Sequence, residues 1–411
     1  MSKQQKALII FWEGYLDVAP TLVEWIRYLV SKNILVKLFV ADSGENRQKV
    51  IETFDPSTVQ IRRVNTVGRP QETYYKLFFN KLTWRLFPQL LRNMEDELVS
   101  TAIDRFARVI GEDQELYDTV YCVDATGLYA FKKSGVKAKK LVNISLEILD
   151  TAYGKPTKYL KKIKQVERDL MIKQVDHVVI QDEHRRQFLE RTLGYSLAHY
   201  SYLPNSVKKD DRTCAKGKYF HELFGFENDQ KILLSAGMIS ESVCSLDVSR
   251  ALGSWTTKLP VKVVFHERIE ITENAAYYER VKAMGKGKVF LSLKPLPYQE
   301  LYKIFSSADI GLAIYSKNHG DNFGIIGSAS GKLFQYIKFG MPVIASDLPG
   351  LKEIVEAYRL GVVVDSPEQI PSAVELIMGN YEQFSNNART AFEENLNMDL
   401  FLETVYEGIY N

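Results

Sequence analysis

Cysteine is scarce: three occur in 411 residues, Cys122, Cys214 and Cys244. An odd number at these spacings makes neither a disulfide framework nor a zinc knuckle, so free thiols in a reducing compartment are expected. An excess of one charge is also missing. Fifty-three Lys and Arg stand against 51 Asp and Glu, a net charge of +2. A general nucleic-acid binder needs a large basic surplus, so that class is set aside. No apolar run approaches the ~20 residues that span a bilayer. The early run Ala7–Trp12 lacks a small-residue cleavage site and reads as a first strand rather than a signal peptide. A cytoplasmic protein is expected, with peripheral contact at the inner face of a membrane left open. Neither an Asp-x-Asp pair nor a His, Asp and Glu cluster at ligand spacing occurs, so no metal site and no cofactor are expected. Internal repeats and low-complexity tracts are absent too.

What is present is an ordinary globular composition, 45% apolar and 25% charged, enough for two cores. At roughly 100–200 residues per domain this length suits two domains. Short β-branched and aromatic runs alternate with helical patterns in two series. The first series is Ala7–Trp12, Val36–Ala41, Val59–Val64, Thr119–Asp124, Leu141–Glu147, His177–Gln181 and Ser201–Leu203. The second is Lys231–Gly237, Val261–His266, Val289–Leu293, Ile310–Tyr315, Pro342–Ser346 and Gly361–Asp365. Most are near-continuous apolar runs, the pattern of strands buried on both faces of a parallel sheet. Helical stretches such as Pro20–Ser31, Lys158–Val175, Pro297–Ser307 and Lys332–Phe339 lie between them. The fold class expected is therefore α/β, with two doubly wound Rossmann-like domains facing across a cleft. Residues 1–205 form the first domain and 206–390 the second. Residues 391–411 add a C-terminal helix that returns to the first. The polar stretch Val207–Lys218 serves as a linker.

The richest segment is Asn322–Glu353, NFGIIGSASGKLFQYIKFGMPVIASDLPGLKE. Ser328-Ala329-Ser330-Gly331-Lys332 is a small-residue loop that runs into an amphipathic helix. Gly331 lets backbone approach a ligand closely. Free N–H groups at a helix start bind phosphate, and Ser330 and Lys332 add a hydroxyl and a cation. A simple N-cap is the alternative for Ser-Gly-Lys alone. Gly340-Met341-Pro342 then turns into the buried strand Val343–Ser346.

This order of loop, Lys, helix, Gly-x-Pro-Val-Ile, Ser-Asp, Gly and Glu resembles the donor site of GT-B glycosyltransferases. Glycosyltransferase family 4 and its bacterial polysaccharide and lipopolysaccharide relatives are the nearest in pattern. The resemblance covers roughly Lys231–Asp365. Leu203-Pro204-Asn205-Ser206, Ser235-Ala236-Gly237 and Ser307-Ala308-Asp309-Ile310-Gly311 resemble further pieces of the same pattern. It implies transfer of a sugar from a nucleotide-sugar, UDP- or GDP-linked, to a glycan or lipid-linked acceptor. It places donor binding at Gly237, Leu296, Ser330, Gly331, Lys332 and Gln335, with the base against backbone at Pro295-Leu296, and position at the end of strand Val261–His266 adds Arg268 and His266. Members of the family carry two glutamates eight positions apart around this loop. Here those positions hold Gly327 and Gln335, and Asp321 is a stand-in for the first. Met238 occupies the place of a family arginine. The cations that neutralise the leaving diphosphate are then Lys332 and Arg268, without a metal.

Acceptor-side residues are expected in the first domain. Glu13, Gly14 and Tyr15 follow the first strand, and Asp17, Asp124 and Glu147 are candidates for a catalytic base. The alternative for each carboxylate is a helix cap or a loop salt bridge. His184, His266 and His319 are weighed the same way, with His266 best placed by topology. Two basic-aromatic stretches, Tyr74–Phe87 and Lys158–Lys164, read either as membrane-interface segments or as core helices with snorkelling lysines. A sugar-nucleotide epimerase on the same scaffold and a non-catalytic binding partner are the rival functions.

Overall fold

In the computed structural model the chain divides into two compact units. One comprises Met1–Gln181, Arg186–Tyr202 and Leu402–Asn411, the other Asp182–Arg185 and Leu203–Phe401. The structure describes residues 4–13, 16, 19–42, 53–66, 88–152, 156–209, 216–268 and 275–411. The units change over at Tyr202/Leu203 and Phe401/Leu402, while the boundaries expected from the sequence follow residues 205 and 390.

The first unit is built on seven strands: β1 Lys6–Phe11, β2 Leu35–Asp42, β3 Val59–Asn65, β4 Leu116–Val123, β5 Lys137–Ile144, β6 His177–Ile180 and β7 Tyr200–Tyr202. All neighbours are parallel, in the order β3-β2-β1-β4-β5-β6-β7. The second unit has β8 Lys231–Gly237, β9 Val261–Glu267, β10 Val289–Ser292, β11 Ile310–Ala313, β12 Val343–Ser346 and β13 Gly361–Val364. These too are parallel, in the order β10-β9-β8-β11-β12-β13. The expected class, two doubly wound parallel sheets, is the one found. The apolar runs located the strands because a parallel sheet covered on both faces leaves its central strands almost no exposed position. Ala7 to Phe11 of β1 and Ile232 to Ala236 of β8 are all buried.

Alternate residues divide the second unit's core between the two faces of its sheet. Leu233, Val263, Phe265 and Leu312 pack with helices Ser245–Ser254 and Ile370–Gly379. Leu234, Val264 and Val343 pack on the other face with helices Gly331–Lys338 and Tyr381–Ala391. Carboxylates anchor the strand starts in both units. Asp118 accepts from Lys6 N–H at 2.9 Å, Asp176 from Leu141 N–H at 2.7 Å, and Asp309 from Ile232 N–H at 2.9 Å. Each satisfies a backbone donor that would otherwise begin the ladder unpaired. Lys216 pairs with Asp309 at 3.0 Å.

The expected helix Pro297–Ser307 is a 3-10 turn, Tyr298–Glu300, followed by a short helix, Tyr302–Ser306. The stretch Lys158–Lys164 opens helix Lys158–Lys173, which Thr157 caps through Leu160 N–H at 3.2 Å. Tyr159 and Ile163 pack against Ile103, Ala125 and Tyr129, so its apolar face belongs to the core. The other basic-aromatic stretch, Tyr74–Phe87, lies outside the described residues. Among the described residues no helix is long and apolar enough to cross a membrane. Residues Leu402–Asn411 belong to the first unit, where Tyr410 shares a hydroxyl bond of 2.9 Å with Tyr121 and Glu403 pairs with Lys32 at 2.8 Å.

Candidate functional site

Each sheet has a point where the strand order turns in opposite directions, between β1 and β4 and between β8 and β11. Ligands in open α/β sheets bind beyond the carboxyl ends of the strands at such points. In the second unit Tyr336 fixes that point. Its buried hydroxyl accepts from Ala236 N–H at 3.0 Å, at the end of β8, and faces Leu312 O of β11 at 3.4 Å. Gly311 makes room for its ring, because a Cβ at 311 would stand 2.3 Å from two ring carbons.

Tyr315, just past β11, is the centre of the site. Its N–H donates to Ser346 Oγ at 2.9 Å, and the same hydroxyl donates back to Tyr315 O at 3.1 Å. Its phenol bonds Ser330 Oγ at 2.5 Å. The Lys332 ammonium lies over its ring, 4.3 Å from the centroid. Lys332 is the second residue of helix Gly331–Lys338, whose start carries no side-chain cap. Leu333 N–H turns back to Ser330 O at 3.0 Å, which leaves the N–H groups of Gly331 and Lys332 at the helix start beside a cation. Burial pushes the Lys332 amine down to about 7; the Cys244 thiol opposes that fall and the Arg268 guanidinium adds to it. Gln335 is half-buried one turn along, and Leu296 packs part-buried against the same core.

Gly237 ends β8 at φ 121°, a conformation that favours glycine. The loop after it hangs on Glu267, which is 1% exposed. That carboxylate accepts from Ile239 N–H at 2.9 Å and from its neighbour Arg268 N–H at 3.0 Å. Arg268 N–H also reaches Gly237 O at 3.0 Å. Gly237 and Arg268 are thus joined by backbone, and Arg268 lies near enough to Lys332 and Tyr315 for its charge to act on both.

The loop Gly327–Ser330 is held from outside. Asp182 accepts from Ser328 N–H at 2.8 Å, and Asn205 grips Ser328 O and Ala329 O at 2.8 and 3.0 Å. A Cβ at Gly327 would stand 2.6 Å from the Asp182 carboxylate and 3.0 Å from Gly350 Cα. The space of a side chain at 327 is thus filled by the carboxylate of Asp182. Asp321, the stand-in considered from the sequence, is exposed at the start of a four-residue helix. His184 pairs with Glu353 at 3.3 Å, and Glu353 caps its own helix through Gly350 N–H at 2.5 Å. His319 is exposed.

The expectation for His266 needs correction. It is 1% exposed, bonded through Nδ1 to Ser292 Oγ at 2.9 Å and edge-on to Phe220 at 6.3 Å. Burial lowers it to about 4, so it is neutral. It shares a sheet face with Val264 and offers no surface to a ligand.

In the first unit the ends of the adjacent strands β1, β4 and β5 carry Glu13, Asp124 and Glu147. Asp124 has φ 58°, left-handed and uncommon outside glycine. Its Oδ1 accepts from Leu146 N–H at 2.6 Å and Glu147 N–H at 2.9 Å. It is 9% exposed, and burial holds its pKa well above the usual carboxylate range, with the charges of Glu147 and Glu13 adding to this. Asp124 thus ties down the turn that carries Glu147. Glu13 and Glu147 are exposed. Desolvation, then the Glu147 charge, raises the Glu13 pKa. Gly14, Tyr15 and Asp17 lie outside the described residues. Among the described residues no group of three His, Cys, Asp or Glu side chains is placed to hold a metal ion. Sequence reasoning missed Tyr315, Glu267 and Asp182, whose roles depend on contacts across the fold.

Residues 250–408 match the family model described as "Glucosyltransferase 3-like, C-terminal domain". No curated protein sequence matches the chain. Among solved structures, sucrose-phosphate synthase from Thermosynechococcus elongatus is 13% identical, with 98% of each chain covered and a TM-score of 0.68. A glycosyltransferase from Rickettsia africae is 13% identical over the whole of both chains, at a TM-score of 0.67. HepE of Anabaena, solved in complex with UDP-glucose, is 12% identical over 98% of each chain, at 0.63. At such identities the likeness is one of fold, and that fold is GT-B.

Proposed function

We propose that this chain is a glycosyltransferase that moves a sugar from a nucleoside-diphosphate sugar, UDP-glucose in the first instance, to a glycan or lipid-linked acceptor hydroxyl. One observation carries the reading: an ammonium held beside the uncapped start of helix Gly331–Lys338, at the β8/β11 switch point. The glucosyltransferase-like family match over residues 250–408 and the UDP-glucose complex of a protein with the same fold support it.

In this reading the bond from the sugar's anomeric carbon to the diphosphate oxygen breaks while one to the acceptor oxygen forms. Negative charge grows on the departing diphosphate. The Gly331 and Lys332 N–H groups, the Lys332 ammonium and the Arg268 guanidinium meet it without need of a divalent ion. Gln335 addresses the ribose and the Leu296 backbone the base. On the first unit Glu147 or Glu13 takes the acceptor proton, and Asp124 fixes the turn that presents Glu147. Gly14, Tyr15 and Asp17 are assigned to the acceptor side from sequence alone.

The test is calorimetric titration of the full chain with UDP-glucose and GDP-glucose, alongside Lys332→Ala. Binding of one donor, weakened at least tenfold in the variant with its fold kept, is expected. Equal affinity in wild type and variant removes Lys332 from the donor site.

A further inference from the structure

Lysines that meet phosphate sit on a flexible four-carbon stem, and ordering such a stem on binding costs affinity. In this protein the end of the stem already has a partner. The Lys332 ammonium rests 4.3 Å from the centre of the Tyr315 ring. That residue is itself held at both ends: its phenol is bonded to Ser330 Oγ at 2.5 Å, and its backbone N–H and C=O both engage Ser346 Oγ, at 2.9 and 3.1 Å. Tyr315 is 8% exposed. Ser330 immediately precedes the helix that carries Lys332, so one tyrosine ties together the ends of β11 and β12 and the helix start. The charged and titratable groups recorded as acting on Lys332 are Cys244, at the start of helix Ser245–Ser254, and Arg268, after β9. Neither of these two is a carboxylate.

We infer that Tyr315 is a positioning residue for the donor: its aromatic face holds the Lys332 ammonium in place for the diphosphate, and its hydroxyl locks the platform to Ser330. A cation over a ring face is attracted by the ring's quadrupole, whereas a hydrocarbon of the same bulk only fills space. The inference rests on the proposed donor reading of Lys332.

The experiment is UDP-glucose affinity by calorimetry for the wild type, Tyr315→Phe, Tyr315→Leu, Lys332→Ala and the double variant Tyr315→Leu/Lys332→Ala, with a thermal melt for each. Tyr315→Phe, which keeps the ring face, is expected within about threefold of wild type. Tyr315→Leu is expected about tenfold weaker. In the Lys332→Ala background the Leu change is expected to add almost nothing, because the two residues act as one unit. Ring-fluorinated phenylalanines incorporated at position 315 keep the shape while draining the ring face of electron density. Affinity should then fall stepwise with fluorination, an effect that a purely structural ring would not show, and this series decides the matter if Tyr315→Leu does not fold. Unchanged affinity across the fluorinated series, or independent effects of the Leu and Ala changes, overturns the role of Tyr315 while leaving Lys332 in place. Wild-type affinity in Lys332→Ala, or no UDP-glucose binding by the wild type, overturns the donor reading and this inference with it.

Discussion

Donor binding by this protein is expected to take up a proton, and the size of the effect follows from Lys332. Burial pushes that amine down to about 7, with Cys244 opposing the shift and Arg268 adding to it. At pH 6 about nine-tenths of the free protein then carries the cation, and at pH 8 about one-tenth. If only the ammonium meets the diphosphate, apparent affinity for UDP-glucose falls roughly tenfold between pH 6 and pH 8. UDP-glucose is the right probe, because its diesterified diphosphate does not titrate in this range. Calorimetry in buffers of different ionisation enthalpy should show uptake of about half a proton at pH 7. Lys332→Met should abolish both the slope and the uptake. Fold stability changes with pH in the opposite sense. The folded pKa lies below the unfolded value of about 10.4, so the unfolded chain binds more protons between pH 7 and that value. Lys332 therefore weakens the fold near neutrality and ceases to do so as pH rises toward 10.4, and Lys332→Met should melt higher than wild type at pH 7. A flat affinity profile in the wild type, or the same slope in Lys332→Met, would refute this reasoning.

Three further outcomes are expected. Gly311→Ala places a methyl 2.3 Å from the Tyr336 ring, which is pinned by Ala236 N–H, so overpacking should cost about 3 kcal/mol and lower the second unit's melting temperature by roughly 6 °C, read by calorimetry. Gly327→Glu introduces an acid where φ 26° and the Asp182 carboxylate at 2.6 Å oppose it; thermal melts should show destabilisation and UDP-glucose titration a loss of affinity. Glu147→Gln should lower turnover by about two orders of magnitude while leaving donor affinity intact, a split that steady-state kinetics beside calorimetry will show.

The strands were legible because β8 and its neighbours are apolar at nearly every position, which a parallel sheet covered on both faces requires. The helix start at Gly331 was legible because small residues, a lysine and an amphipathic stretch follow one another in the chain. Tyr315 was not, since nothing local distinguishes it from the last residue of a buried strand; its role arises from Ser330 and Lys332, fifteen and more positions away. Asp182 escaped for the same reason, reaching Ser328 across 146 positions. His266 misled because strand-end position says nothing of which face a side chain takes, and period-two alternation puts it beside Val264 in the core. Asp124 lay at its expected strand end, but its carboxylate accepts from two backbone amides in the turn after β5, neither the helix cap nor the loop salt bridge weighed from the sequence.

If this chain's own cations drive sugar transfer, the diphosphate leaves without a divalent ion. The most direct measurement follows diphosphate release from UDP-glucose by phosphorus NMR, with the full chain, in the presence of EDTA and with Lys332→Ala as control. Slow UDP release that persists in EDTA and is lost in the variant is the predicted result. Intact UDP-glucose with the wild-type protein, or release that EDTA abolishes, would contradict the account.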